Sequence, residues 1–230
     1  MAVHTQYKPG VIPENAVLII GAGCFGKRAA RILVNESDIP ILIVDRDEKR
    51  LEGIEVHRAE RILGEGIDFL VKNIPLLRSS VTIIPAIPHH VAFEWLKGSI
   101  SKGYNIRQIA VPKEIESLFT HAWPGSDGSL LVSYADFICP EDCPEPPAYC
   151  TVTGQEREIP MFEKLRTLET TDFRRHILRS RQLAPGLGGY VVGELTELLN
   201  NLEKQETGKW LVGTACRCHG IVTAMELSAD

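Results

Sequence analysis

Three glycines in this sequence have the spacing of a phosphate-binding turn. Gly21, Gly23 and Gly26 stand in the order G-x-G-x-x-G directly after an apolar run. In this order the first glycine permits a tight turn, the second lets the backbone approach a pyrophosphate, and the third lets a helix pack closely against the strand. The start of that helix would present free N–H groups and partial positive charge to phosphates. The glycines therefore predict a nucleotide site.

Cysteines form the second set of residues suited to chemistry, because five of the six lie in two short segments. The segments read CPEDCPEPPAYC and CRCH, and their candidate metal ligands are Cys139, Cys143, Cys150, Cys216, Cys218 and His219. Thiolates and imidazole bind zinc, and four thiolates also suit an iron-sulfur cluster. Neither spacing is a standard one. A redox disulfide between Cys216 and Cys218, or no shared role, therefore remain alternatives.

Further residues extend the predicted nucleotide site. Cys24 and Phe25 lie inside the glycine turn, and Asp45 ends a second apolar run about 20 positions further on, where a carboxylate can bind ribose hydroxyls. An acid there favours NAD over NADP, whereas Arg46 beside it could accept a 2′-phosphate. ATP, AMP and S-adenosylmethionine also bind at such turns, so the nucleotide stays open.

The sequence around these residues predicts alternating strands and helices, which must position them. Strands are predicted at 17–20, 41–44, 54–57, 80–84 and 106–111, with a helix interrupted by glycines over 60–73. This alternation predicts an α/β fold with a doubly wound parallel sheet of the Rossmann type. The histidine pair that follows the fourth strand includes His89, the candidate acid or base, at the edge where ligands bind such sheets.

A change in composition divides the chain. Beyond about residue 121, prolines and glycines become frequent, and the clearest strands are 130–138 and 210–214, each followed by a cysteine segment. We expect a dinucleotide-binding Rossmann domain over 1–125 and a smaller cysteine-rich α+β module over 126–230. Two neighbouring strands could bring both cysteine segments to one site.

The segments GAGCFGKRAARIL and IVDRDEKRLE resemble the TrkA-N class, the regulatory nucleotide-binding domains of bacterial potassium transporters and channels. The resemblance covers about the first fifth of the chain. It implies an NAD-type Rossmann unit, and it also implies a regulatory rather than a catalytic use of the nucleotide.

Composition excludes several classes of partner. The 230 residues are 44% hydrophobic, enough for a sizeable core, and carry a net charge of -5, which argues against nucleic acid. No apolar run is long enough to span a membrane, and the first residues resemble no signal peptide. We expect a cytoplasmic protein, in which clustered cysteines act as thiols, metal ligands or redox groups. A homo-oligomer is expected on general grounds.

Two functions fit these features. The first is an NAD(P)-dependent oxidoreductase with a cysteine-ligated iron-sulfur or zinc centre. An iron-sulfur centre would also imply a redox partner protein, since a one-electron centre cannot take a hydride directly. The second is a nucleotide or redox sensor of the TrkA-N type, which needs no catalytic residues.

Overall fold

The computed structural model describes residues 12–36, 38–54, 58–157, 159–204 and 207–229, which form two β-sheets with helices packed between and around them. The strands are β1 (Val17–Ile20), β2 (Ile41–Asp45), β3 (Ala59–Leu63), β4 (Thr82–Pro85), β5 (Tyr104–Ile109), β6 (His121–Pro124), β7 (Leu130–Ser133), β8 (Phe173–Arg179), β9 (Arg181–Ala184), β10 (Leu187–Val191), β11 (Gly208–Ala215) and β12 (His219–Ala229). The helices are α1 (Cys24–Glu36), α2 (Glu48–Glu52), α3 (Gly66–Asn73), α4 (Val91–Ser99), α5 (Lys113–Glu116), α6 (Met161–Arg166) and α7 (Val192–Lys204), with a 3-10 turn at Ile74–Leu76.

The first sheet has the strand order β3-β2-β1-β4-β10-β9. Its strands β1 to β4 are parallel, and β10 joins β4 in the antiparallel direction. In the middle of this sheet, Val17 and Ile19 pack against α1 on one face, while Leu18 and Ile20 pack toward α3 and α4 on the other. Burial on both faces explains why these strands read as unbroken apolar runs. The predicted Rossmann-like region is therefore confirmed as part of a mixed α/β fold.

The second sheet has the order β6-β7-β12-β11-β8. The long strand β12 pairs with β7 through its first residues and with β5 through its last ones. Strands β8 and β11 are parallel, with Arg179 opposite Ala215 at their carboxyl ends. Helix α6 covers one face of this sheet through Phe162 and Leu165. This arrangement places the β8 end and the β11–β12 turn side by side.

Helices α4 and α7 lie between the two sheets and join them through one core. Phe93 and Leu195 on these helices share a buried cluster with Ile20 of the first sheet and with Trp210 and Met225 of the second. The division at residue 125 stays a prediction, and strand pairing crosses it. Strands β9 and β10 complete the first sheet, whereas β5 and β6 belong to the second.

The third strand and the helix that follows it differ from the predicted segments. The third strand is Ala59–Leu63 rather than residues 54–57, of which 55–57 lie outside the described residues. This edge strand buries little more than Ile62 and so lacks an apolar run, and most of it falls within the helix that the sequence predicts over 60–73. The helix begins only at Gly66.

The later strands also differ from expectation. The segment predicted as a fifth parallel strand, 106–111, forms β5 at Tyr104–Ile109 and pairs antiparallel with β12 in the second sheet. Strand β7 ends at Ser133 instead of 138. The chain from 134 to 157 is then largely irregular and carries the first cysteine segment.

Candidate functional site

The glycine turn has the geometry that a pyrophosphate requires. Gly21 adopts a φ of +111°, which L side chains rarely adopt. A Cβ on Gly26 would overlap the carbonyl oxygen of Gly21, so this position requires a glycine for α1 to approach β1. A Cβ on Gly23 would instead point into open space, with no atom within 4 Å. The open side of the turn is therefore the side from which phosphates can approach the backbone.

Asp45 is buried and already bonded to the glycine turn. Its Oδ2 accepts a hydrogen bond from the N–H of Ala22 at 2.6 Å, and its Oδ1 accepts one from Asp47 at 2.8 Å. Each carboxylate oxygen keeps a further lone pair for a ribose hydroxyl. Arg46 points elsewhere, since its Nη1 lies 3.0 Å from Glu65 Oε1. The carboxylate thus shapes the turn as well as offering an acceptor.

The second cysteine segment forms the tight turn between β11 and β12. Cys216 N–H donates to the carbonyl of His219 at 2.9 Å. The Sγ of Cys216 lies 3.4 Å from the backbone nitrogens of both Cys218 and His219, which donate to it. Helix α6 holds the turn from the other side, because Met161 N–H donates to the Arg217 carbonyl at 2.8 Å. The turn therefore presents the cysteines on a rigid frame.

The first cysteine segment follows an irregular path tied to both sheets. Tyr134 N–H donates to the Cys218 carbonyl at 3.0 Å, which joins the two segments. At its other end, Cys150 lies in a small turn in which its N–H donates to Gln155 at 2.8 Å. The Cys143 carbonyl accepts a bond from Gly186 N–H at 2.8 Å, in the turn between β9 and β10. The segment thus spans from the second sheet to the first.

All six cysteines line one cavity of about 890 Å³, which we call the thiol cavity. Its wall includes Cys24 and Phe25 of the glycine turn and Pro85 at the end of β4, together with Cys139, Cys143, Cys150, Cys216, Cys218 and His219. The His219 ring lies between two thiols, with Nε2 3.5 Å from Cys139 Sγ and Nδ1 3.8 Å from Cys216 Sγ. The residues that the sequence suggested as metal ligands all line this cavity, and Cys24 lines it from the side of the glycine turn.

Burial keeps several of these thiols protonated. Desolvation by burial, together with the neighbouring Glu145 carboxylate, raises the pKa of Cys216 to about 12. Burial also raises the pKa of Cys139, with smaller contributions from Cys143 and Cys150. Cys150 differs, since hydrogen bonds from the Thr153 and Val152 backbone lower its pKa. Cys150 is therefore the thiol most readily ionised among those with a shifted pKa.

Arg157 is a cavity residue that no sequence motif identifies. Its Nη1 donates to Cys218 Sγ, and its Nε donates to the Tyr149 carbonyl at 2.9 Å. The guanidinium thus lies among the thiols and counteracts part of the burial effect on the pKa of Cys218. Within the described ranges, no three His, Cys, Asp or Glu side chains stand at metal-binding spacing.

Direct bonds connect the glycine turn region to the first cysteine segment. Arg28 of α1 donates to the Glu141 carbonyl, and its Nε lies 3.5 Å from Glu141 Oε2. Arg28 Nη1 also donates a hydrogen bond to the Gly186 carbonyl at 3.3 Å. Gly186 has a φ of +67°, and a Cβ there would overlap the Glu141 carbonyl oxygen. The two parts of the cavity wall are therefore in contact.

The two histidines before α4 differ in exposure, because His89 is exposed and His90 is buried. His89 is exposed and is not among the residues lining the thiol cavity, so its catalytic role stays a prediction. His90 is buried, with Nδ1 2.8 Å from Thr223 Oγ1 and Nε2 3.2 Å from Thr214 Oγ1. Asp127 accepts a bond from His90 N–H at 2.9 Å and so fixes the start of α4.

The fold and the glycine turn define a Rossmann-like nucleotide-binding region at the N-terminus. The TrkA-N domain model matches residues 17–71, in agreement with the resemblance read from the sequence. Domains of this class bind NAD(P)-type nucleotides. Among the described helices, none has both the length and the hydropathy needed to cross a membrane.

A second family model matches the C-terminal part of the chain. It is AF_1314_C, described as "Uncharacterized protein, C-terminal domain", and it covers residues 92–228, more than half of the chain. A protein of Archaeoglobus fulgidus described as "Uncharacterized protein" is 34% identical over 221 residues, which span 91% of this chain and 98% of the relative. The chain therefore belongs to the AF_1314_C family. No solved structure shows significant similarity to it.

Proposed function

We propose that this protein binds NAD at the glycine turn and uses the neighbouring cysteines as a redox-active or metal-binding centre, in the manner of an oxidoreductase. One observation carries the proposal: all six cysteines line a cavity whose wall begins at the glycine turn itself, at Cys24 and Phe25. One end of a nucleotide bound at the glycine turn would therefore lie next to the thiols.

The position of the cavity supports this arrangement. Strand β1 lies between β2 and β4, and ligands of open α/β sheets bind beyond the carboxyl ends of the strands, where the strand order reverses. Pro85 at the end of β4 and Cys24 after β1 both line the thiol cavity. The adenosine would lie toward Asp45, and the nicotinamide toward the cysteines. The buried Asp45 carboxylate and the pairing of Arg46 with Glu65 favour NAD over NADP.

The donor set fits a thiolate-ligated metal by its chemistry. Sulfur and imidazole donors suit zinc, and several thiolates suit iron-sulfur clusters. Cys139, Cys216 and His219 are the closest group, and the two backbone N–H donors on Cys216 offset part of the rise in its pKa that burial and Glu145 cause. Cys143, Cys150 and Cys218 would complete the set. Bound there, zinc would supply a structural cross-link, whereas an iron-sulfur cluster would supply one-electron transfer and so require a redox partner protein.

A nucleotide-responsive sensor is the second candidate function. Two observations favour it: Arg28 connects α1 to the first cysteine segment, and Arg157 lies among the thiols where a metal would otherwise balance their charge. In a sensor, nucleotide binding would change the exposure of the cysteines without turnover. A homo-oligomeric state remains a prediction for either function.

The test uses full-length protein purified without oxygen, with Cys143→Ser and Cys216→Ser as variants and Cys24→Ser as the matched control. NAD, NADH and NADP affinities are measured by calorimetry, alongside metal content and visible absorbance. The proposal predicts tighter binding of NAD than of NADP, and a metal that both loop variants lose and the control keeps. NAD binding with no metal and no turnover would favour the sensor. Absence of nucleotide binding would refute both.

A further inference from the structure

A second cavity, of about 290 Å³, adjoins the thiol cavity and is lined by three arginines. We call it the arginine cavity. Arg179 ends β8, Arg181 begins β9, and Arg217 lies in the β11–β12 turn. They meet because β8 and β11 are parallel, with Arg179 opposite Ala215, so that their carboxyl ends reach the same edge of the sheet. The fold thus collects three cations that are far apart in the sequence.

Two of these guanidinium groups have no carboxylate partner among the described residues. Arg179 Cζ lies 4.4 Å from the centre of the Phe162 ring, a contact that orients the guanidinium while leaving its N–H groups available. Arg217 uses its backbone N–H to donate to Glu145 Oε1 at 2.7 Å, but its guanidinium makes no hydrogen bond with any described residue. The third guanidinium, that of Arg181, is paired with the Glu194 carboxylate. The cavity therefore holds two guanidinium groups that have no paired carboxylate among the described residues, and the Phe162 ring orients one of them, Arg179.

Its polar wall is shared with the thiol cavity. Ser180, Gln182 and Glu145 line both spaces. Gln182 is fixed there, since its Nε2 donates to the Cys143 carbonyl at 2.8 Å. A small molecule held by the arginines would thus lie directly beside the cysteine segment.

We propose that the arginine cavity binds the carboxylate or phosphate group of a small molecule, at a site separate from the nucleotide. Guanidinium groups recognise both oxyanions through paired N–H donors, and a charge-assisted bond is stronger than a neutral one. Arg179 and Arg217 are the binding residues. If the proposed redox function holds, this group belongs to the substrate, and the anion site itself depends on neither the metal nor NAD.

The test titrates full-length protein with inorganic phosphate and, separately, with succinate at matched ionic strength, followed by calorimetry. We expect saturable binding of at least one of the two, and the stronger one identifies the class of oxyanion. Arg217→Gln and Arg179→Gln should each weaken binding by about tenfold or more, because each removes a charged donor. Arg217→Lys should restore part of it. Arg175→Gln, on the same strand but outside both cavities, removes an equal charge and should have no effect.

A nucleotide control separates this inference from the proposed function. Gly23→Ala, designed to block NAD binding, should keep the affinity for the oxyanion. Three results would overturn the inference: no saturable binding of either anion, an equal loss in Arg175→Gln, or a loss of NAD binding in Arg217→Gln that matches the loss of anion binding. The last result would assign the arginines to the nucleotide site.

Discussion

Arg28 donates a hydrogen bond to the main-chain carbonyl of Glu141, and its Nε lies 3.5 Å from the Glu141 carboxylate. Arg28 is on the helix that follows the glycine turn, and Glu141 lies between the first two cysteines of the 139–150 segment. This contact links the nucleotide region to the cysteines across more than a hundred residues of sequence.

Replacing Arg28 should loosen the cysteine segment. In Arg28→Met the bonds to Glu141 and Gly186 are lost, so amide hydrogens in residues 139–150 should exchange several-fold faster, while those of β1 and β2 stay unchanged. Hydrogen exchange followed by mass spectrometry measures this directly. Arg31→Met is the matched control, because Arg31 is an exposed residue of the same helix. Equal exchange in both variants would show that Arg28 does not hold the segment.

The two glycines of the turn should respond differently to alanine. Gly23→Ala adds a methyl group in open space, so the melting temperature should change little while NAD affinity falls by about tenfold or more, because the methyl blocks the phosphates. Gly26→Ala overlaps the Gly21 carbonyl and should cost about 1–3 kcal/mol or prevent folding. Calorimetry and thermal unfolding distinguish the two effects. Undiminished NAD binding by Gly23→Ala would remove the turn from the binding site.

Asp45 should contribute to stability as well as to binding. Asp45→Ala leaves the N–H groups of Ala22 and Asp47 without an acceptor, a loss of about 1–3 kcal/mol in the free energy of unfolding. Asp45→Asn keeps one acceptor oxygen and should lose less. Urea unfolding measures the difference, and NAD affinity should fall in both variants. Identical stability of the two variants and the parent protein would contradict the bonding described.

His90 should make stability depend on pH between about 4 and 6.5. Burial lowers its pKa from 6.5 to about 4, so the folded protein keeps His90 neutral while the unfolded chain takes up a proton. The unfolded state binds more protons in this window, and stability therefore falls as the pH decreases. Between about pH 7.5 and 5 the parent should lose about 2 kcal/mol more than His90→Gln. Parallel pH profiles in urea unfolding would show that His90 does not carry this dependence.

The nucleotide half was predictable because its signals are local. The glycine spacing, the apolar runs of β1 and β2 and the acid at Asp45 all lie within about 30 residues, and both faces of these strands are buried. Strand β3 was missed because it lies at the edge of the sheet and buries mainly Ile62. Strand β5 was recognised as a strand but placed in the wrong sheet, because its partner β12 is more than a hundred residues away.

The cysteine cluster was predicted only in part for the same reason. Composition and spacing identified the two segments, but their meeting depends on the Tyr134–Cys218 bond and on β12 lying between β7 and β11. Arg28, Glu145 and Arg157 shape the site through contacts with residues distant in the sequence. A single arginine has no local signature that would single it out, whereas the effect of Glu145 on the thiol pKa values follows from its place beside the first cysteine segment.

Cysteine alkylation with and without NAD tests the central claim, that the nucleotide and the thiols form one site. The protein is purified without oxygen and treated with iodoacetamide, and the modification rate of each cysteine is read by mass spectrometry. We predict that saturating NAD changes the rates at Cys24, Cys139 and Cys150 several-fold, because a nucleotide on the glycine turn would fill the thiol cavity they line. Gly23→Ala should abolish the change. Unchanged rates at all six cysteines, with NAD bound, would contradict the account.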